Sequence, residues 1–510
     1  MLEEHTNQTA PKGSTHWMLL GICVALFIAL RIRWVGHLLV WDEAMTLCTV
    51  RSLVSGGHDY FSHWFWRHPP LFTVLMTLLR PLESGFAQRT ECMAIGFGLI
   101  NLLLLFRLNY RLFGQAVALW SVFFISVMPG AVFFDTWVKT DHPVTTFGLL
   151  AFLCLVENRT LLAGLSLGVA LLSKETAVFY VMAAVLIYLA KPSGQRSAVG
   201  VFFLTLTPVL TCGWWYFIFA GESGVQVSVL SGSLLEHLHF GVGTETGFAA
   251  PWNYYLRQLP TDLGSTGLLF SAAGAIVLTL AAMKDKYRGD IQDYATRRIL
   301  GIWPLFLLVP SYVLVSVLTS KVPWIVMVLL PAWATLQGVA MSGCIDLAKD
   351  RFCVLPSVLA FFIIAIACLP LIGRDYETML RNIDASQWRG AMYSRQAAQA
   401  MNGLVKDGDR ILITSFHYWK GLGPGDPCAV FAYYFTKKAE VFMRPHEARF
   451  DLLLDDIRRY RIDWALLSPE PGKEEHELFD GFMGKLGLRP YKLDNACIFK
   501  TAGLCEQYKQ

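Results

Sequence analysis

Charged residues are scarce in this chain. They make up 16% of its 510 residues, whereas hydrophobic residues make up 54%, and the mean hydropathy is +0.44. This balance excludes an ordinary soluble domain and predicts a protein that crosses a membrane several times. The net charge of +4 is spread over many short loops, so it forms no basic face of the kind that nucleic acid requires. We expect membrane lipids, and no nucleic acid, as partners.

Several signatures of chemical sites are also missing. The 11 cysteines include no C-x-x-C ligand pair, and most of them lie in apolar runs. Cys428, Cys497 and Cys505 lie in a polar region, which leaves one disulfide open if that region is extracytoplasmic. Neither a Gly-rich phosphate loop nor a nucleophile elbow occurs after Arg374. The first apolar segment is too long for a cleavable signal peptide and is expected to remain as a helix.

Long apolar segments predict the architecture. A helix needs about 20 apolar residues to cross a hydrocarbon core about 30 Å thick, and about eleven segments qualify as spans. The run 69–82 is shorter and favours a juxtamembrane or re-entrant helix. The sequence therefore predicts a polytopic α-helical membrane protein. The predicted spans are 18–40, 91–106, 116–134, 144–156, 161–172, 177–190, 199–219, 266–283, 299–318, 323–341 and 353–372.

Charge and composition predict the division into domains. With the N-terminus in the cytoplasm and 69–82 not crossing, the lysines and arginines of the short loops collect on the cytoplasmic side. After Arg374 the composition becomes mixed, and strand-like and helical segments alternate, which predicts a soluble α/β domain. The predicted divisions are a cytoplasmic N-terminus at 1–17, a transmembrane module at 18–373 with extracytoplasmic loops at 41–90 and 220–265, and an extracytoplasmic domain at 374–510.

The unusual polar residues gather in the loops on one side of this topology. Asp42 and Glu43 directly follow the first predicted span, where carboxylates are costly unless they are paired, hydrated or used. Each polar residue also has an ordinary explanation, such as a local ion pair or a lysine whose charge reaches the interface. Together they predict a mixed-charge extracytoplasmic pocket. Its other members are Arg67, His68, Asp135, Asp141, Lys174, Glu175, Lys321 and Trp324.

The order and spacing of these residues resemble the multispanning glycosyltransferases of the C-type fold, particularly the protein O-mannosyltransferases and lipid A aminoarabinose transferases. The resemblance covers roughly residues 15–340. It rests on the acidic pair after helix one, His68-Pro69-Pro70 before a short helix, Arg89 at the start of the next span, Asp141 in a later loop, Lys174-Glu175, and Lys321-x-Pro-Trp before a span. It implies transfer of a sugar from a polyprenyl phosphate to an extracytoplasmic acceptor, with inversion at the anomeric carbon.

The same residues suit this reaction on chemical grounds. Displacement of a polyprenyl phosphate needs a base for the acceptor proton and cations for the departing phosphate. We predict Asp42 as the base, with Glu43 holding the acceptor or neighbouring cations. The resemblance implies that Asp141, which matches the family's acidic position in the second loop, orients the acceptor or its neighbours, with Asp135 as a weaker rival. Lys174, Lys321 and Arg67 or His68 would face the phosphate, and Trp324 is a candidate donor contact. Because single displacement needs only one carboxylate in line with C1, inversion is predicted.

The sequence leaves several questions open. It names neither the sugar, hexose or pentose, nor the polyprenyl length, and the acceptor can be a lipid, a glycan or a protein. No motif in the sequence identifies a cofactor, although the acids and histidines of 220–265 leave a divalent cation open. A transporter or flippase for a polyprenyl-linked substrate would show inverted repeats, which are not evident. A noncatalytic membrane scaffold would not need these acids. The resemblance predicts a bacterial inner membrane with a periplasmic site.

Overall fold

The computed structural model describes residues 15–37, 39, 41–55, 69–215, 251–284, 299–317, 323–352, 373, 385–414, 429–444, 450–467, 491–493 and 496–501. These residues belong to two compact units. The first contains the described residues up to Gly36 and those from 69 to 373. The second contains His37 to Ser55 and the described residues from 385 onward. Most of the predicted spans therefore fall in the first unit.

The described helices are numbered here in chain order, and α2 and α15–α17 belong to the second unit. They are α1 (Thr15–Ile32), α2 (Trp41–Ser55), α3 (Leu71–Thr77), α4 (Phe86–Phe113), α5 (Gln115–Val127), α6 (Pro129–Phe134), α7 (Asp141–Val156), α8 (Thr160–Leu171), α9 (Val178–Ala190), α10 (Ala198–Trp214), α11 (Tyr254–Leu263), α12 (Ser265–Lys284), α13 (Trp303–Val317), α14 (Leu330–Phe352), α15 (Ala385–Leu404), α16 (Ala429–Tyr434) and α17 (Phe450–Arg459). Three short 3-10 helices lie at Glu175–Ala177, Ser193–Gln195 and Pro323–Leu329.

The first unit has the surface of a protein surrounded by hydrocarbon. Large apolar side chains are exposed at helical spacing along α10, where they include Phe202, Leu206 and Leu210, and along α13, at Val309 and Val313. Polar side chains instead point inward and pair between helices. A soluble protein rarely leaves such apolar stripes uncovered, so these helix faces fit contact with lipid.

Two described stretches, Phe86–Phe113 and Ile325–Ile345, are long and apolar enough to cross a membrane by themselves. The pair Tyr254–Leu263 and Ser265–Leu280 would add a third, but it bends by 110° at its break. Seven other described helices are apolar but only 10–17 residues long. At 1.5 Å per residue, they span roughly 15–26 Å of a core about 30 Å thick. The predicted count of eleven spans is therefore not confirmed.

Two predicted spans are not continuous helices in the structure. The predicted span 18–40 was wrong in its second part, because α1 ends at Ile32 and a turn containing Gly36 follows, with φ at +86°. The predicted span 116–134 is divided into α5 and α6, since Met128 is extended and Pro129 starts the second helix. Proline has no N–H to continue a helix but suits a first turn. The predicted span 353–372 lies outside the described residues.

Glycines let several helices of the first unit cross closely. A Cβ on Gly164 of α8 would overlap the backbone oxygen of Phe203 on α10, and one on Gly274 of α12 would overlap the backbone oxygen of Leu336 on α14. Backbone atoms cannot rotate away as a flexible side chain can. These two crossings therefore depend on the missing side chain, which is the usual device for close helix packing in membranes.

The second unit contains a five-stranded sheet with strand order β2-β1-β3-β5-β4. Its strands are β1 (Arg410–Thr414), β2 (Glu440–Arg444), β3 (Trp464–Leu467), β4 (Tyr491–Leu493) and β5 (Ala496–Lys500). β1 pairs in parallel with β2 and β3, whereas β5 pairs antiparallel with β3 and β4. Helix α2 packs on α16 within this unit, and the Arg51 guanidinium lies 4.1 Å from the centre of the Tyr433 ring.

We expect Gly164→Ala to lower the stability of the first unit by about 1–3 kcal/mol, because the added methyl group overlaps a backbone oxygen. Thermal unfolding of the purified protein in detergent measures this change. Gly96→Ala on α4 is the matched control, since its Cβ would meet nothing within 4 Å. Equal unfolding temperatures for the two variants would contradict the close crossing.

Candidate active site

A buried ion pair lies at the start of α7. Asp141 is the first residue of this helix and is fully buried. Its Oδ2 accepts a hydrogen bond from Lys174 Nζ at 2.7 Å, and its Oδ1 accepts one from Thr176 Oγ1 at 3.2 Å. A carboxylate is also favoured at a helix N-terminus, where the backbone N–H groups are exposed. Asp141, Lys174 and Thr176 are called the 141 cluster below.

The backbone explains why Lys174 reaches Asp141. After α8 ends, Lys174 adopts an extended conformation, with φ at −167° and ψ at 153°, before the 3-10 helix that starts at Glu175. The Lys174 side chain is about 90% buried. An ammonium has three donors, and within the described residues Lys174 donates only to Asp141. The other two N–H donors of the Lys174 ammonium therefore have no hydrogen-bond partner among the described residues.

The turn before α7 and the first residues of that helix carry further buried polar groups. His142 is fully buried, and its Nε2 lies 2.7 Å from the Trp137 backbone oxygen, which closes the turn before α7. Lys139 is 5% exposed, and its ammonium lies 5.2 Å from the centre of the Trp137 ring. Two buried lysines are thus associated with the start of α7: Lys174 pairs with the Asp141 carboxylate, and Lys139 lies two residues before Asp141 in the chain.

The start of α3 is fixed beside the same loop. The Leu71 backbone N–H donates to the Leu172 oxygen at 3.0 Å, two residues before Lys174. Pro69 and Pro70 are both buried there. Arg67 and His68, which immediately precede them and were predicted to bind substrate, lie outside the described residues. The hydrogen bond attaches the chain directly after Pro69 and Pro70 to the loop that carries Lys174.

Asp135 takes part in a different ion pair. The fully buried Arg31 guanidinium contacts Asp135 Oδ2 through Nη2 at 2.7 Å and Nε at 2.8 Å. It also donates to the backbone oxygens of Ser126, at 2.8 Å, and Ile125, at 3.2 Å. These oxygens belong to the last turn of α5, where a helix has no N–H partners of its own. Arg31 therefore connects α1, the end of α5 and Asp135 at the end of α6.

The predicted acidic pair lies in the second unit. Asp42 and Glu43 fall in the first turn of α2, although the sequence suggested a membrane boundary followed by a loop. Glu43 is fully buried, and both of its carboxylate oxygens lie 3.2 Å from His37 Nε2. Its predicted contact with an acceptor is untested by this geometry, as is the predicted role of Asp42 as a base.

The remaining predicted residues are only partly visible. Glu175 is half-buried at the start of its 3-10 helix. Trp324 is the second residue of the 3-10 helix Pro323–Leu329. Lys321 lies outside the described residues. The acidic and histidine residues between 216 and 250, which the sequence analysis considered as possible ligands of a divalent cation, also lie outside the described residues. Within the described part of the chain, no group of three His, Cys, Asp or Glu side chains could hold a metal ion.

Sequence reasoning missed Thr176 and Arg31. Thr176 is separated from Asp141 by 35 positions, and no local pattern distinguishes a threonine that binds a carboxylate from one that packs in a helix. Arg31 was hidden inside an apolar segment that was taken as a continuous span. A buried arginine five residues before the glycine turn was the available signal, because an arginine within a span needs a partner.

Part of this chain matches a protein-family model. Residues 67–216 match the model described as dolichyl-phosphate-mannose-protein mannosyltransferase. This region includes the 141 cluster and the Arg31 partner Asp135. No curated protein sequence matches the chain.

Solved structures extend the likeness over nearly the whole chain. ArnT from Cupriavidus metallidurans bound to undecaprenyl phosphate has a TM-score of 0.59 at 13% identity, covering 95% of this chain and 98% of ArnT. The Archaeoglobus fulgidus oligosaccharyltransferase tethered with an acceptor peptide has a TM-score of 0.51 at 12% identity, covering 90% of this chain and 69% of that one. At such identities the likeness shows the fold. The chain has the C-type glycosyltransferase fold, and the expected resemblance is confirmed.

Neutralising Arg31 and Asp135 together separates a structural role from a role in substrate binding. We expect Arg31→Met or Asp135→Leu alone to cost about 3–5 kcal/mol, because each leaves the other charge buried without its partner. The double variant should recover most of that loss. Thermal unfolding measures stability, and exposed Arg33 provides the control variant Arg33→Met. A folded double variant that binds substrate normally would show that Asp135 is structural, whereas a folded variant without binding would support the predicted substrate contact.

Proposed function

We propose that this chain is an inverting glycosyltransferase that moves a sugar from a polyprenyl-phosphate donor to an extracytoplasmic acceptor. The observation that carries the proposal is the buried Asp141–Lys174 pair, which lies within residues 67–216. The C-type fold is a second line of support for the proposed function. ArnT, which shares this fold, binds undecaprenyl phosphate in its structure, and the A. fulgidus oligosaccharyltransferase AglB is in complex with a dolichol-phosphate and an inhibitory peptide.

The 141 cluster suits recognition of an anionic lipid phosphate. Asp141 and Thr176 hold the flexible Lys174 side chain in one position, and two ammonium donors remain for oxygens of the phosphate. An ionised hydrogen-bond donor in a site with little water stabilises a developing phosphate charge more than it does in bulk water. In this proposal Lys174 contacts the departing phosphate and Asp141 positions Lys174. That assignment differs from the sequence-based prediction that Asp141 orients the acceptor.

The reaction follows from one displacement at the anomeric carbon. The acceptor hydroxyl loses its proton to the Asp42 carboxylate as its oxygen attacks C1 of the sugar. The bond between C1 and the phosphate oxygen breaks, and its electron pair leaves with the polyprenyl phosphate. Attack occurs opposite the leaving group, so the anomeric configuration inverts. The role of Asp42 rests on its place in the sequence and on the family resemblance.

The wider setting belongs to the same proposal. We propose about eleven membrane crossings, with 374–510 as an extracytoplasmic α/β domain in a bacterial inner membrane. The short apolar helices would then cross where they are helped by flanking polar residues or by local thinning of the bilayer. Whether the sugar is a hexose or a pentose depends on groups that contact its ring. A lipid, glycan or protein acceptor is compatible with the 141 cluster.

Removing both charges of the 141 cluster should abolish recognition of the lipid phosphate without unfolding the protein. The double variant Asp141→Asn/Lys174→Gln keeps similar side-chain shapes and leaves no buried charge unpaired. We expect kcat/KM for labelled sugar transfer to fall by roughly 100-fold or more. Glu83→Gln is the control, because Glu83 is 55% exposed and pairs only at the surface with Arg80.

Binding of bare polyprenyl phosphate is measured on the same variants, and thermal unfolding confirms that they are folded. A folded double variant that binds and transfers like the parent would contradict the proposed role of Lys174.

Asp42→Asn tests the base directly. We expect transfer to fall by roughly 10²–10⁴-fold, the usual contribution of a general base, while donor binding changes little. The measurement is single-turnover transfer from a panel of polyprenyl-phosphate sugars, with Glu43→Gln compared in parallel. Unchanged turnover in folded Asp42→Asn would remove Asp42 from the mechanism. A wild-type protein that moves labelled lipid across vesicle bilayers without transferring sugar would instead favour a flippase.

A further inference from the structure

Asp262 is a buried carboxyl in the first unit that lies outside the 141 cluster. It is the second-to-last residue of α11, and the chain bends by 110° into α12 directly after it. Gly264 makes this bend with φ at +75°, a value that favours glycine. Asp262 is 9% exposed. The bend and its carboxyl are called the 262 elbow below.

The Asp262 carboxyl has no hydrogen-bond donor among the described residues, unlike Asp135 and Asp141. Leaving a buried polar group unsatisfied costs free energy, and an ionised group costs more than a neutral one. Burial accordingly raises the pKa of Asp262 to about 7. A carboxyl kept in such a place against its solvation cost is a candidate for a binding function.

Several aromatic side chains lie near the 262 elbow. Tyr254 and Tyr255 lie two turns earlier on α11, with ring centres 5.2 Å apart. Tyr312 on α13 lies within electrostatic range of Asp262. Its hydroxyl accepts a hydrogen bond at 3.3 Å from Nε1 of Trp333 on α14. Tyr312 and Trp333 are both only partly buried. Asp262 and these aromatic side chains therefore lie in the region where α11 packs on α13 and α13 packs on α14.

Packing connects the 262 elbow with the start of α7. A Cβ on Gly130 of α6 would lie 2.9 Å from the Asp262 backbone oxygen, so α6 directly supports the elbow. Helix α11 also packs on the 3-10 helix Pro323–Leu329, and that 3-10 helix packs on α7, whose first residue is Asp141. The elbow and the 141 cluster thus share neighbouring elements within one unit.

We propose that the 262 elbow binds hydroxyl groups of the sugar ring carried by the lipid-phosphate donor. A carboxylate accepts hydrogen bonds from adjacent hydroxyls, and tyrosine and tryptophan rings pack on the apolar face of a sugar. A partly apolar site with a few fixed polar groups provides orientation and specificity. This inference rests on the proposed transferase function, and it assigns to Asp262 the choice among sugars, whereas the 141 cluster holds the phosphate.

The test compares affinities of the full-length protein for bare polyprenyl phosphate and for polyprenyl-phosphate hexoses, pentoses and deoxy sugars. We expect the wild type to prefer a sugar-bearing lipid, and Asp262→Asn to weaken that binding about tenfold or more without changing affinity for the bare lipid phosphate. Asp262→Glu, which keeps the charge but moves it, should change which sugar is preferred. Arg257→Gln, at an exposed position on the same helix, is the control.

The pH dependence provides a second readout. Hydroxyl donors favour the ionised carboxylate, so the wild-type preference for sugar should increase as pH rises through about 7 and should be flat in Asp262→Asn. Among the described residues, the titratable groups that interact with Asp262 are Tyr254 on its own helix and Tyr312 on α13. The other elements packed on α11 add none near it, since α6 and the 3-10 helix 323–329 have no titratable residue and α12 has only Lys284 at its far end. Tyrosines remain neutral in this range.

Two results would overturn the inference: a wild type with no preference between bare and sugar-bearing lipid, or a folded Asp262→Asn that keeps the wild-type preference. The outcomes also separate this inference from the proposed function. Sugar transfer with unchanged selectivity in Asp262→Asn leaves the transferase and removes the elbow as its sugar site. A sugar preference that Asp262→Asn loses, in a protein that transfers no sugar, supports the elbow and contradicts the transferase.

Discussion

The arrangement of the first unit depends on the contacts of the Arg31 guanidinium. This guanidinium joins the end of α1, two free carbonyl oxygens at the end of α5 and the carboxylate of Asp135 after α6. In a helical unit with apolar outer faces, such a cation is stable only if every nearby acceptor is placed for it. The break at Pro129 supplies those acceptors, because it ends α5 early and exposes its last carbonyls. The position of the 135–141 loop follows from this break.

Three buried aspartates of the first unit show how differently one residue type can be used. Asp135 is held by an arginine that also binds backbone, so its charge stabilises a helix junction. Asp141 is held by a lysine with donors to spare, so the pair can accept an anionic ligand without breaking. Asp262 has no described donor, so it gains most from a ligand that brings hydrogen-bond donors. The three side chains are buried to a similar extent, so the hydrogen-bond partners of each carboxyl determine its role.

The sequence predicts the class of this protein well and its local geometry less well. Apolar composition and the order of polar motifs were enough to predict the C-type fold, because both depend on the whole chain. The ends of the helices were harder to predict, because a hydropathy profile does not detect the turn at Gly36 or the break at Pro129. The motifs around Asp141 and Lys174 were enough to name both as candidate site residues. Their direct contact could not, because it joins residues 33 apart through the extended conformation of Lys174.

Charge balance limits how much of the reaction the 141 cluster could support alone. Asp141 and Lys174 together are neutral, and a sugar phosphodiester carries one negative charge that becomes nearly two as the phosphate departs. A neutral pair orients such a group but does not compensate its charge in a site with little water. Additional cations are required in the proposed reaction. Lys139 is buried in the preceding turn, and the sequence offers Arg67, His68 and Lys321 beside the same motifs. In the proposed reaction Lys174 contacts the departing phosphate with the donors that Asp141 leaves unused, and one of these other cations compensates the additional negative charge that develops as the phosphate leaves.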